Sequence, residues 1–123
     1  MRSTFFLAAI ALFGSTTVNA GGFSSTCTEC RLGSSNTRYG CLCGDGKGNE
    51  IYSLVDLNDC MVNLGGQLSP RKSGGFGGSC KADGQNDEYT PCWDCGNGSG
   101  TDKACPDLNS FISNHDGTIS CDV

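Results

Sequence analysis

The second half of this chain repeats the first, and that duplication limits the folds open to it. Phe23-Ser-Ser-Thr-Cys27 returns as Phe76-Gly-Gly-Ser-Cys80, and Cys43 returns as Cys95. Asp56-Leu57-Asn58 is answered by Asp107-Leu108-Asn109, and Asn63-Leu-Gly-Gly-Gln-Leu68 by Asn114-His-Asp-Gly-Thr-Ile119. The offsets are 53, 52, 51 and 51 residues, so the register drifts by two positions over a whole copy. A repeat of about 50 residues implies two equivalent units, each too small to bury its apolar face alone. A binding site built by one copy is then expected twice.

The first twenty residues read as a leader and not as part of the fold. Arg2 gives a positive start, Phe5 to Phe13 is an apolar run, and Val18-Asn19-Ala20 supplies small residues for cleavage. Nine apolar residues fall short of the roughly 20 needed to span a bilayer, although a short membrane anchor is the plain alternative. The expectation is a secreted protein with a signal peptide at residues 1–20 and one domain at 21–123. Repeat one would cover 21–73 and repeat two 74–123. All ten cysteines lie in that domain, close to one position in ten, a density typical of disulfide-stapled extracellular modules. With few large aliphatics and 18 of the chain's 19 glycines in that domain, cross-links would substitute for part of the core.

Without the leader there are seven basic side chains against thirteen acidic, net −6. That balance argues against nucleic acid or anionic membrane, both of which need basic patches. The neighbouring cations Arg71 and Lys72 fall in the link between the copies.

Local signals point to an all-β fold with short helical turns. Gly44-Asp-Gly-Lys-Gly48 and Gly96-Asn-Gly-Ser-Gly100 read as hairpin tips. Ile51 to Val55 reads as a strand running into a helical turn that places Leu57 and Met61 on one face, matched by Leu108 and Ile112. Asp56 and Asp107 stand where N-caps accept free amides. Gly65-Gly66 and Asp116-Gly117 suit primed two-residue hairpins. Ile119, Cys121 and Val123 alternate with polar residues, as in a half-buried terminal strand. Ser69 to Gly78, with one proline and several glycines, reads as a flexible linker or a hinge.

The paired phenylalanines ahead of a cysteine, the second cysteine about sixteen residues on, the Asp-Leu-Asn motif and the Asn-x-Asp-Gly-like turn occur in fixed order, twice. From Gly22 to Ser120 this pattern resembles the cyanovirin-N homology family. The resemblance implies a pseudo-symmetric, all-β tandem repeat of two three-stranded sheets with β-hairpins, with strands exchanged between the halves. It also implies a monomeric lectin for mannose-rich glycans, with one shallow site per half and neither metal, cofactor nor catalysis. The family's disulfides transfer as Cys27–Cys43 and Cys80–Cys95, each closing a loop that contributes roughly 3 kcal/mol by the chain-entropy account. Cys30, Cys41, Cys60, Cys92, Cys105 and Cys121 are additions, expected as three further bridges with 15 possible pairings.

A sugar-reading site needs rigid groups that both donate and accept. The resemblance places the first site at Gly22, Ser25 and Thr26, at Gly44, Asp45 and Gly46, and at Asn114, His115 and Asp116. Gly44 replaces the family's charged residue after the second cysteine, although Asp45 stands next to it. Asn, Asp and Gly are ordinary turn residues, and His115 suits a solvated turn better than a ligand contact. The second site would use Asn63 and Gly65, Gly75 through Ser79, and Gly96, Asn97 and Gly98. Its turn carboxylate has become Gly65 and its opening segment is nearly bare, so weak binding is expected there. Asn97-Gly98-Ser99 is a glycosylation sequon, and a glycan on Asn97 would cover that site. Trp93 suits packing near cystines better than stacking on sugar.

Three rivals remain. Cys27-x-x-Cys30 and Cys92-x-x-Cys95 have zinc-ligand spacing, but an oxidising route favours disulfides. Asp45, Glu50 and Asp116 could form a glycosidase acid pair, yet nothing points to a deep cleft, and one histidine builds no triad. The serious alternative is a secreted, cysteine-rich interaction or effector protein that keeps the fold without sugar binding.

Overall fold

A computed structural model describes residues 21–123; the leader reading falls on residues outside the described ones. Among the described residues no helix is long and apolar enough to cross a membrane. The first repeat forms β1 (Cys27–Leu32), β2 (Arg38–Gly44) and β3 (Glu50–Asp56), then a hairpin of β4 (Met61–Leu64) and β5 (Gln67–Pro70). The second forms β6 (Cys80–Asp87), β7 (Thr90–Gly96) and β8 (Thr101–Ala104), then a hairpin of β9 (Ile112–His115) and β10 (Thr118–Cys121). The result is two three-stranded antiparallel sheets, β1-β2-β3 and β6-β7-β8, and two hairpins.

The sequence signals explain the turns. Gly65 and Gly66 take φ of 63° and 99°, and Asp116 and Gly117 take 54° and 100°. Positive φ at both central residues is the primed turn whose twist matches its strands. Asp56 and Asp107 cap single 3₁₀ turns by accepting from the amides of Asn58 and Asn109. Those turns end sooner than the spacing of Leu57 and Met61 suggests. Cys60 N–H bonds to Leu57 O, three residues back, and Met61 already begins β4. Leu57 and Met61 are both buried, but from different elements, as are Leu108 and Ile112. In the terminal strand Ile119 is buried, whereas Val123 lies beyond β10 and is exposed.

The hairpins are exchanged. The chain start bonds to repeat two, with Gly22 N–H on Asn109 O (2.7 Å) and Ser24 N–H on Asn109 Oδ1 (2.9 Å). The mirrored pair is Gly75 N–H on Asn58 O (2.9 Å) and Gly77 N–H on Asn58 Oδ1 (2.8 Å). The packed halves therefore differ from the sequence repeats. The β9–β10 hairpin sits on the first sheet, where Ile119 N–H reaches Ser53 Oγ at 3.0 Å, and β4–β5 sits against the second.

The segment joining the copies is neither a free linker nor a hinge. Ser69 and Pro70 belong to β5, and Phe76–Gly78 is a 3₁₀ turn. Between them Arg71, Ser73 and Gly75 donate to the carbonyls of Cys60, Asp59 and Asn58. Gly74 runs so close to the Met61 backbone that a Cβ there has no room.

The core is partly sulfur. Phe23 stacks edge-on to Tyr39 and Tyr89 at 6.1 and 5.4 Å, and Phe76 to Trp93 at 5.1 Å. Trp93 is fully buried and donates to Asn36 O. Eight of the ten half-cystines are at most 5% exposed, so they fill space that aliphatic side chains would otherwise occupy. Cys27–Cys43 and Cys80–Cys95 pair within their repeats, as do Cys30–Cys41 and Cys92–Cys105. Cys60–Cys121 alone crosses between repeats.

That crossing bridge closes 61 residues against 11 for Cys30–Cys41. Replacing Cys60 and Cys121 by alanine is expected to cost about 4 kcal/mol, against about 3 for Cys30 and Cys41, by loop entropy. Guanidinium unfolding of the two double variants checks this, and equal losses would contradict it.

Candidate functional site

At each end of the molecule an asparagine from a hairpin turn clasps the other repeat. Asn114 Nδ2 donates to Thr26 Oγ1 at 3.0 Å and to Gly44 O at 2.9 Å, while its Oδ1 accepts from Gly117 N–H at 2.8 Å. Asn63 repeats the pattern. Its Nδ2 reaches Ser79 Oγ and Gly96 O, both at 2.9 Å, and its Oδ1 accepts from Gly66 N–H at 2.8 Å. Thr26, Gly44, Ser79 and Gly96 each adjoin a half-cystine, so every clasp closes on backbone already fixed by a bridge.

The structure gathers most of the first-site residues but gives them different tasks. Both donors of Asn114 are spent on protein, so it positions Thr26 and Gly44. Ser25 Oγ donates to Gly22 O at 3.0 Å, and both hydroxyls remain exposed with acceptor capacity. Asp116 is exposed on its turn, and its Oδ1 would lie 3.9 Å from a Cβ on Gly46. Asp45 serves its own loop, accepting from the amides of Lys47 (2.7 Å) and Asn49 (3.1 Å) and from Asn49 Nδ2 (3.1 Å). Those bonds, the Lys47 amide first, hold its carboxyl below the ordinary aspartate value. His115 turns away from the clasp, with Nε2 3.1 Å from Asp122 Oδ2. One neighbour escaped sequence reasoning. Ile51, 44% exposed, packs where a side chain on Gly117 would sit. Its signal is the strand register, which sets Ile51 opposite Cys43.

The second end holds a cleft. The bare segment at Gly77 and Gly78, with Ser79, Lys81, Asp94 and Thr101, lines a cleft of about 480 Å³. Lys81, Asp94 and Thr101 were not anticipated, because they reach the cleft through pairing of β6, β7 and β8. Partial burial, then the hydrogen bond it shares with Asp83, pushes the Asp94 carboxyl up. Asn97 Nδ2 donates to Asp102 Oδ1 at 3.0 Å, and its Oδ1 accepts from Ser99 N–H at 3.0 Å. Gly65 and Gly75 have positive φ and open space around them. Among the described residues no group of three or more His, Cys, Asp or Glu could hold a metal ion, and both Cys-x-x-Cys pairs are spent in disulfides.

Two sheets with exchanged hairpins, stapled by cystines and closed by the same asparagine clasp twice, define a duplicated all-β module. The CVNH domain model matches residues 23–120, and the chain belongs to the cyanovirin-N homology (CVNH) family. Its fold is similar to the MoCVNH3 variant Mo0v, solved in complex with (N-GlcNAc)4, with TM-score 0.76 and 15% identity over 85% of this chain and 99% of that one. The CVNH protein of Gibberella zeae gives TM-score 0.68 and 24% identity over 84% and 99% of the two chains. Microvirin, solved in complex with mannobiose, gives 0.63 and 20% over 82% and 98%. No curated protein matches the chain by sequence.

Because the folded Asp45 carboxyl titrates low, its loop bonds persist down through the ordinary aspartate range and are lost only as pH falls through that lowered value. The amide resonances of Lys47 and Asn49 should therefore titrate together, with a midpoint below the usual aspartate value of about 3.9. A midpoint at or above that value would show that the loop is not organised by Asp45.

Proposed function

We propose that this protein is a secreted lectin for mannose-rich oligosaccharides, acting without catalysis. The observation that carries the reading is the Asn114 clasp. It fixes Gly44 and Thr26, the neighbour of Ser25, and it belongs to the turn that carries Asp116 close to Gly46, a set of hydroxyls, a carboxylate and backbone groups. A pyranose offers hydroxyls that donate and accept, and a set of that composition answers both. Because the clasp and the adjoining cystine are already formed, little ordering entropy is lost on binding. The complexes of microvirin with mannobiose and of Mo0v with (N-GlcNAc)4 support a saccharide ligand. Five disulfides suit an oxidising, extracellular location.

A glycan array with the disulfide-intact protein tests this. Mannose-rich glycans should bind, and Asn114→Ala with Asp116→Ala should remove most of the signal, about tenfold or more. The competing reading, an interaction protein that has lost sugar binding, is favoured by the Asn114 donors and the Asp45 carboxylate being satisfied within the protein. An array without any glycan signal would select it.

The second end is the weaker site in this reading. Gly75, Gly77 and Gly78 offer no side chains, and Lys81 and Asp94 would have to give up water to a neutral sugar. It is also where Asn97 would carry its own glycan. One Nδ2 hydrogen goes to Asp102 and the other is available for replacement, while the Ser99 hydroxyl lies 3.3 Å from Asn97 Oδ1. Mass analysis of the protein secreted by a eukaryotic host should show a glycan on Asn97. An unmodified Asn97 there would remove this part of the proposal.

A further inference from the structure

The outer face of the β1-β2-β3 sheet is built unlike its counterpart in the second repeat. Residues opposite one another across strands share a face, so Thr28, Leu42 and Tyr52 form one row and Arg31, Gly40 and Leu54 the next. Tyr52 is 49% exposed and Leu54 55%. A Cβ on Gly40 would lie 2.5 Å from Tyr52 Oη and 2.7 Å from Leu54 Cδ2. The hydroxyl end of the tyrosine therefore lies over the bare glycine, and about half of the residue is left to solvent. In the second repeat the first row is Lys81, Asp94 and Lys103. The Cys92–Cys105 bridge stands in place of Gly40 and Leu54. Charge and cystine occupy the ground that Leu42, Tyr52 and Leu54 hold as an apolar platform in the first repeat.

The platform adjoins the first site. Gly44 follows Leu42 by two positions on the same face of β2, which sets its row about 7 Å from that of Tyr52 at the rise of a strand. Gly44 is the residue whose carbonyl the Asn114 amide holds. Past Leu54, the face opens on a cleft of about 380 Å³ lined by Gly33, Ser34, Ser35 and Arg38. One face thus runs from the clasp, over an aromatic ring and a leucine, to hydroxyls and a guanidinium.

We propose that this face extends the first sugar site, so that a linear glycan held at the clasp lays its further rings on Tyr52 and Leu54. The inference rests on the lectin reading and names the ligand class of that site: chains longer than a disaccharide. A pyranose carries hydroxyls around its rim and C–H groups on its broad faces. An aromatic side covers those C–H groups and removes apolar surface from water without breaking the rim's hydrogen bonds. Ser34, Ser35 and Arg38 supply polar partners at the far end. The second site lacks the platform and reads only short termini.

Calorimetric titration of the disulfide-intact protein with mannobiose and with a linear mannotetraose tests this. The tetraose should bind about tenfold more tightly than the biose. Tyr52→Ala should remove that gain while leaving the biose affinity unchanged, and Tyr52→Phe, which keeps the ring, should retain it. In the wild type, the ring protons of Tyr52 should shift on adding tetraose and stay still with biose. That measurement decides the matter should Tyr52→Ala fail to fold. Equal affinity for the two lengths, a gain that survives Tyr52→Ala, or an unmoved Tyr52 ring overturns the extension and leaves the lectin reading standing. A protein that binds neither length fails the lectin reading itself, and the extension with it. Concentration-dependent dimerisation abolished by Tyr52→Ala, with no length dependence, would assign the face to a second copy instead.

Discussion

Two asparagine amides hold the ends of this molecule together, and the rest of its architecture supports them. Each spends both side-chain donors across the repeat boundary and accepts one turn amide in return. A hydrogen bond of this kind nets only about 1 kcal/mol, too little to order a glycine-rich end alone. Its effect depends on what it grips. Thr26 and Gly44, like Ser79 and Gly96, sit one residue from a cystine, so the amide closes on backbone that cannot retreat. Exchange of the hairpins makes the grip possible, because it brings the turn of one repeat onto the strand ends of the other.

That interdependence explains which features could be read from the chain. The primed turns at Gly65-Gly66 and Asp116-Gly117 and the caps at Asp56 and Asp107 are local devices, and local chemistry is legible in sequence. The family pattern brought Asn114, Thr26 and Gly44 to one place but said nothing of how the amide is used, because that depends on distances between segments 70 and more residues apart. Lys81, Asp94, Thr101 and Ile51 stayed hidden for a related reason: only strand register brings them to the sites. Cys30 shows the point sharply. With Cys27 opposite Cys43, a regular ladder sets residue 29 opposite Cys41. The irregularity between Thr28 and Arg31, with Glu29 at φ 53°, moves Cys30 into that place instead.

The joining segment misled for the opposite reason. Its glycines and proline describe a chain free to bend, and composition alone supports that reading. Here glycine serves close approach. Gly74 lies against the Met61 backbone where no side chain fits, and the neighbouring amides are taken by Cys60, Asp59 and Asn58. Cys60–Cys121 then ties this crossing point to the last strand. The bridge has no equivalent across the pseudo-symmetry, since Phe111 and Pro70 stand at the matching positions. A duplicated fold needs its centre fixed only once, and one covalent link across the crossing does that for both halves.

The two copies kept one backbone and diverged on its surface. Ile51 packs over the turn glycine of one end and Asp102 over that of the other. Leu42 and Tyr52 give way to Asp94 and Lys103 on the matching sheet face. These substitutions leave the fold alone, because outward positions of a sheet contribute little to its core. They alter what each end can desolvate. An apolar and hydroxyl-bearing end gives up water cheaply and can cover the C–H face of a ring, whereas an end lined by Lys81, Asp94 and Asp102 holds its hydration. Duplication supplied two ends with the same asparagine clasp, and surface chemistry alone is enough to make them unequal.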